Sequence, residues 1–295
     1  MSETAPFTLA TPAGPVLHGL VDLPDQDGRR PAVIICHGFK GFMEWGFFPY
    51  LAALLADRGF VAVRFNLSGS GMRPGEDRVG DLRAFRDDTH SGELADLLAV
   101  LDAVAGDAAT IAPRRVDPSR VGLFGHSRGG GAAILAAARP PWRERLRALV
   151  TWAAIASVDR YTPQQKEEWR REGKLPVVNA RTGQQLEMGL GLLADLERNR
   201  AELDIAAAAG RLAAPWLIVH GEDDESVPAS EAKLLADRAA SPSPTPPGRD
   251  PAALTELLLI PGASHTFGSR HPFAGPTPPL IQALNATQTW FRRHL

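Results

Sequence analysis

A hydroxyl, an imidazole and a run of carboxylates occur in this chain in settings where they could share one reaction. Ser127 lies in Gly125-His126-Ser127-Arg128-Gly129, His265 in Gly262-Ala263-Ser264-His265-Thr266-Phe267, and Glu222, Asp223, Asp224 and Glu225 follow one another directly. A serine hydroxyl is a weak nucleophile until a base takes its proton. An imidazole can do so near neutral pH, and a carboxylate can hold it in the required tautomer and stabilise its protonated form. Glycines on both sides of Ser127 suit a sharp, strained turn that neighbouring elements approach closely. A hydroxyl at such a turn sits over a helix N-terminus, where free N–H groups and the helix dipole favour developing negative charge. These residue types point to acyl transfer through a serine, with the acid open between Asp223 and Asp224.

The chemistry requires each group to stand at the end of a strand. Val121-Gly122-Leu123-Phe124 reads as a buried strand and Ala132-Ala133-Ile134-Leu135 as the start of a helix, the setting of a nucleophile elbow. Ala32-Val33-Ile34-Ile35-Cys36 is an apolar run expected in a central parallel strand, with Cys36 a small buried residue. The following loop, His37-Gly38-Phe39-Lys40-Gly41, can aim the Phe39 N–H above the sheet, to pair with the Arg128 N–H as an oxyanion hole. Trp45, Phe48, Ala52 and Leu55 recur at helical spacing up to Gly59, and Val61–Phe65 is the next strand. Residues 66–90 read as a long, charged, mostly solvated loop, and a helix follows from about Ser91.

Leu149–Ala153, Pro215–Val219 and Leu257–Ile260 supply further strands. The last two deliver the acidic run and His265 to the sheet edge that carries Ser127. Repeated strand and helix define an α/β class with a mostly parallel sheet flanked by helices. Residues 6–23 suggest an antiparallel pair around Pro12-Ala13-Gly14-Pro15, with His18 a strand residue. A last helix starts at Thr277-Pro278 and places Ile281, Leu284, Thr287 and Phe291 on one face. Residues 239–251 form a Pro/Ser-rich surface connection.

Between 157 and 205 the alternation stops. Thr162-Pro163-Gln164-Gln165 opens a helix that holds Trp169 and ends at Gly173, and a second helical stretch runs from about Met188 to Leu203. This insertion is expected to be a small helical cap over the pocket, with a dimerisation surface as the alternative; 1–156 and 206–295 form the core. Trp152 and Trp169 are candidates for an apolar substrate pocket, with His37 beside them. His90, His126, His220 and His271 read as packing residues.

Composition narrows the function classes. A net charge of -2 over 295 residues gives no reason to expect a nucleic acid or an anionic membrane as partner. The single cysteine rules out an internal disulfide. With no signal peptide and no bilayer-length apolar run evident, a cytoplasmic protein is expected. No His/Cys/carboxylate cluster has ligand spacing, so neither metal nor cofactor is expected. The sequence leaves a homodimer open.

The order Ser, Asp, His along the chain is that of α/β-hydrolases. With His37-Gly38-Phe39-Lys40-Gly41, Gly125-His126-Ser127-Arg128-Gly129-Gly130, His220-Gly221-Glu222-Asp223-Asp224-Glu225-Ser226-Val227-Pro228 and Gly262–Phe267, the chain resembles α/β-hydrolase-fold serine esterases of the dienelactone-hydrolase-like and cinnamoyl-esterase-like branch. The resemblance implies Asp224 as the triad acid with Ser127 and His265, a backbone oxyanion hole at Phe39 and Arg128, and a small-molecule ester as substrate. Proper dienelactone hydrolases use cysteine as nucleophile, so the serine here points to carboxylic esters. A thioesterase, a prolyl-oligopeptidase-type peptidase, an acyltransferase or a non-catalytic hydrolase-fold binding protein are the alternatives; the absence of propeller-like repeats argues against the peptidase.

Overall fold

The computed structural model describes residues 3–11, 14–241 and 254–295. The chain starts with β1 (Glu3–Ala10) and β2 (Val16–Leu23), paired antiparallel as the pattern over 6–23 implies. Then come β3 (Arg30–Cys36), α1 (Phe48–Asp57), β4 (Val61–Phe65), α2 (Leu82–Arg86), α3 (His90–Ala105), β5 (Val116–His126) and α4 (Arg128–Ala137). Next are α5 (Trp142–Arg145), β6 (Leu146–Trp152), α6 (Pro163–Glu172), β7 (Lys174–Asn179), β8 (Gln184–Gly189), α7 (Leu190–Arg198) and α8 (Ile205–Ala209). The chain closes with β9 (Trp216–Gly221), α9 (Ala229–Ala240), β10 (Thr255–Ile260) and α10 (Pro278–His294).

Among the described residues, eight strands form one sheet in the order β1-β2-β4-β3-β5-β6-β9-β10, parallel from β4 to β10. Both faces of the parallel part are covered. Along β3, Val33 and Ile35 pack with α1 and α10, while Ala32, Ile34 and Cys36 face α3 and α4. This two-residue alternation within a wholly apolar strand is what a sheet between two helical layers demands. Burial raises the pKa of the Cys36 thiol well above its ordinary value.

Four sequence expectations change. The insertion is not wholly helical: α6, with the expected Thr162–Gln165 capping box, and α7 flank an antiparallel hairpin, β7–β8. Helix α1 starts at Phe48, which leaves Trp45 in the preceding loop, and in α10 Ile281 is exposed while Leu280, Ala283 and Leu284 face the core. The stretch 66–90 contains α2, and Asp88 within it is largely covered and ion-paired. The Pro/Ser-rich run lies, from residue 242 on, outside the described residues, as do Pro12 and Ala13.

Candidate active site

Ser127 occupies the corner between β5 and α4 with φ 57° and ψ -122°, an unusual conformation for a side chain-bearing residue. Its N–H donates to the Trp152 carbonyl at 2.8 Å. The flanking glycines are there for space: a Cβ at Gly125 would lie 2.4 Å from the Gly129 carbonyl oxygen, and one at Gly129 would lie 2.2 Å from the His37 carbonyl oxygen. The loop after β3 comes as near, since a Cβ at Gly38 would stand 2.9 Å from the Ser127 Cβ. Phe39 is thereby carried to the edge of the elbow. Arg128 is the first residue of α4, so its N–H precedes the helix's own hydrogen bonds.

The three candidate groups meet. Ser127 Oγ lies 3.0 Å from His265 Nε2, and His265 Nδ1 lies 2.8 Å from Asp224 Oδ2 and 3.1 Å from Oδ1. Asp224, the acid in contact with His265, is buried, whereas Asp223 beside it is exposed. Burial alone would raise the Asp224 pKa. Hydrogen bonds with His220 and His265 and from the Val227 N–H outweigh burial and hold the carboxyl well below the usual carboxylate range. It therefore stays ionised, as a group that orients an imidazole must.

A cavity of about 530 Å³ opens above Ser127 and His265. Trp45, Phe48 and His126 line it together with Phe39, His90, Arg128 and Tyr161, and the tip of the β7–β8 hairpin contributes Asn179, Ala180 and Arg181. His126 Nε2 donates to the His265 carbonyl at 3.0 Å, which fixes its tautomer; burial lowers its pKa to about 3, and the imidazole is neutral.

The residues expected to line a substrate pocket do not. His37 is sealed under the loop, where Nδ1 donates to the Gly38 carbonyl and Nε2 accepts from the Leu67 N–H; burial brings its pKa down to about 4. Trp152 is wholly buried beneath the elbow and donates to Thr287 Oγ1 at 2.9 Å. Trp169 is buried inside the insertion and donates to the Met188 carbonyl at 3.1 Å. Large aromatics at these positions serve packing, and the pocket's aromatic wall comes from Trp45, Phe48, Phe39 and Tyr161.

Sequence reasoning also missed the anchors of the Arg128 side chain. Its Nε donates to Glu93 Oε2 at 2.6 Å and its Nη2 to Asp88 Oδ2 at 2.8 Å, Arg128 and Glu93 being buried and Asp88 largely so. The signal was present: Glu93 sits beside Leu94 and Leu97 on the apolar face of α3, a position that calls for a buried partner. Among the described residues no helix is long and apolar enough to cross a membrane.

Comparison with known proteins places the chain in a family. The prolyl oligopeptidase family model matches residues 45–274. An uncharacterized 31.7 kDa protein of Escherichia coli is 25% identical over 250 residues, 74% of this chain and 81% of that protein. An uncharacterized peptidase of Bacillus subtilis, YuxL, is 26% identical over 97% of this chain but only 38% of its own length. The ferulic acid complex of Est1E from Butyrivibrio proteoclasticus superposes with a TM-score of 0.69 at 21% identity, covering 98% of both chains. The architecture is the α/β-hydrolase fold. From a match that spans well over half of its length, the chain belongs to the prolyl oligopeptidase family, within the serine hydrolase superfamily.

Proposed function

We propose that the protein hydrolyses small carboxylic esters through an acyl-Ser127 intermediate. The observation that carries this reading is the continuous line from Ser127 Oγ through His265 to the buried Asp224, with steps of 3.0 and 2.8 Å. In the proposed sequence His265 Nε2 takes the Ser127 proton as Oγ attacks the ester carbonyl. The N–H groups of Phe39 and Arg128 stabilise the tetrahedral oxyanion, each such donor being worth roughly 10²–10³ in rate. His265 then protonates the departing alcohol, and a water activated by the same imidazole releases the acid. Asp224 steadies the imidazolium at each stage.

A cavity of about 530 Å³ suits a small molecule. Replacing Ser127 with alanine is expected to lower kcat for a short p-nitrophenyl ester by on the order of 10⁵-fold or more, with thermal unfolding unchanged. Release of p-nitrophenolate measures the first and calorimetry the second. Retained turnover would remove Ser127 from the mechanism.

The family match supports a second reading, cleavage of short peptides or aminoacyl amides on the same groups. Matched p-nitrophenyl esters and aminoacyl p-nitroanilides separate the two. Ser127-dependent anilide hydrolysis without ester hydrolysis would establish the peptidase.

A further inference from the structure

Of the lysine and arginine side chains that line the cavity, Arg128 is the buried one, and two carboxyl groups set its position. The Arg128 guanidinium is held by Glu93 through Nε and by Asp88 through Nη2, and it lies 5.1 Å over the Phe39 ring. The remaining nitrogen, Nη1, has no protein partner among the described residues and is not fully sealed. The side chain keeps 8% of its surface exposed, and Arg128 lines the cavity with Phe39, His90 and Tyr161. Two bonds on a planar fork leave the third nitrogen little freedom, so its N–H groups form a preset donor.

The charge of this corner limits what it can bind. Two carboxyl groups face one guanidinium, and His90, whose pKa burial lowers to about 3, adds no positive charge. Burial raises both carboxyls, Asp88 to about 7, while the guanidinium in contact with each of them favours their ionised forms, so its charge is matched within the cluster. Lys40, 5.7 Å from the Phe39 ring, and Arg160 line the same cavity, but at the guanidinium itself an anion also meets two carboxyl groups, whereas an uncharged oxygen acceptor beside the two aromatic rings gains a charge-assisted hydrogen bond.

We propose that Arg128 is a specificity-determining residue: Nη1 donates to an uncharged ether or amide carbonyl oxygen of the substrate lying along Phe39 and Tyr161, while Asp88 and Glu93 hold the guanidinium and cancel its attraction for anions. This inference rests on the ester-hydrolase reading above.

Two matched ester series test it, one varied in the acyl part and one in the alcohol, each ending in methyl, methoxy or carboxylate. The readout is the ratio of kcat/KM values within one enzyme, so general changes in activity cancel. In the wild-type protein methoxy should exceed methyl by roughly tenfold in at least one series. In Asp88→Asn/Glu93→Gln, which keeps the donor and removes its counter-charges, the carboxylate-to-methyl ratio should rise by about tenfold or more. In Arg128→Met/Asp88→Asn/Glu93→Gln, which leaves no unpaired buried charge, the methoxy preference should vanish. An arginine that only supports the fold would leave these ratios unmoved, and unmoved ratios overturn the proposal. If the triple variant fails to fold, Asp88→Asn alone decides through its carboxylate-to-methyl ratio. Fluorophosphonate labelling of Ser127 separates the two failures: labelled protein with flat ratios overturns the role of Arg128, whereas unlabelled wild-type protein overturns the ester reading and this inference together.

Discussion

His265 has each ring nitrogen facing one partner, Asp224 on one side and Ser127 on the other. The imidazoles around it are withdrawn from such work: His37, His90 and His126 are buried and their pKa values fall to about 4, 3 and 3. Their neutrality has a cost in acid. His37 titrates near 6.5 when unfolded and near 4 when folded, so between these values the unfolded chain binds more protons. The stability it contributes is complete above pH 6.5 and is lost as pH falls through about 4, amounting to up to about 3 kcal/mol. His37→Asn is expected to reduce the fall of Tm between pH 7 and pH 4, as read by calorimetry at a series of pH values; an unaltered slope would assign the effect elsewhere. Ser127, His265 and the pair Asp223/Asp224 were legible because strand ends and turn residues mark them in one dimension. The partnership of Arg128 with Asp88 and Glu93 was not, because it joins residues 35 and 40 positions apart on elements whose packing the pattern does not specify.

At the scale of elements, the elbow depends on the passage of the β3 loop across the first turn of α4. Gly129→Ala would set a methyl against the carbonyl oxygens of Cys36 and His37, with backbone on both sides and no flexible group to yield. The expected loss of stability is on the order of 3 kcal/mol or more, measured by chemical denaturation, with ester turnover falling as Phe39 is displaced. The β7–β8 hairpin was the element the sequence concealed. Its strands, Lys-Leu-Pro-Val-Val-Asn and Gln-Gln-Leu-Glu-Met-Gly, are short and one carries a proline, so little in them outweighs the helical pattern that follows. A two-stranded ribbon draws its stability from what it packs on, here Phe85 and Trp169, which no local reading supplies.

Across the whole molecule, two large apolar clusters sandwich the sheet, and a third, smaller one joins Val79 and Phe85 to Trp169, Leu186, Met188, Leu192 and Leu193. The insertion is fastened to residues 66–90 through this cluster and through Gln184, whose amide accepts from the Val79 N–H at 3.1 Å and donates to the Val79 carbonyl at 2.9 Å. Arg181 adds a bond to the Asp77 carbonyl. Gln184→Ala should raise hydrogen–deuterium exchange across 174–189 while the Tm of the chain moves little, since the sheet keeps both of its layers. A comparable drop in protection throughout the sheet would show that the insertion and the core unfold as one unit. Cys36, the one thiol in the sequence, ends β3 wholly buried, with its ionisation suppressed. Buried structural thiols of this kind are inert. A maleimide dye offered to a variant with a cysteine placed on the hairpin tip would therefore report from that position alone, making the native chain a background-free host for watching the roof of its own pocket.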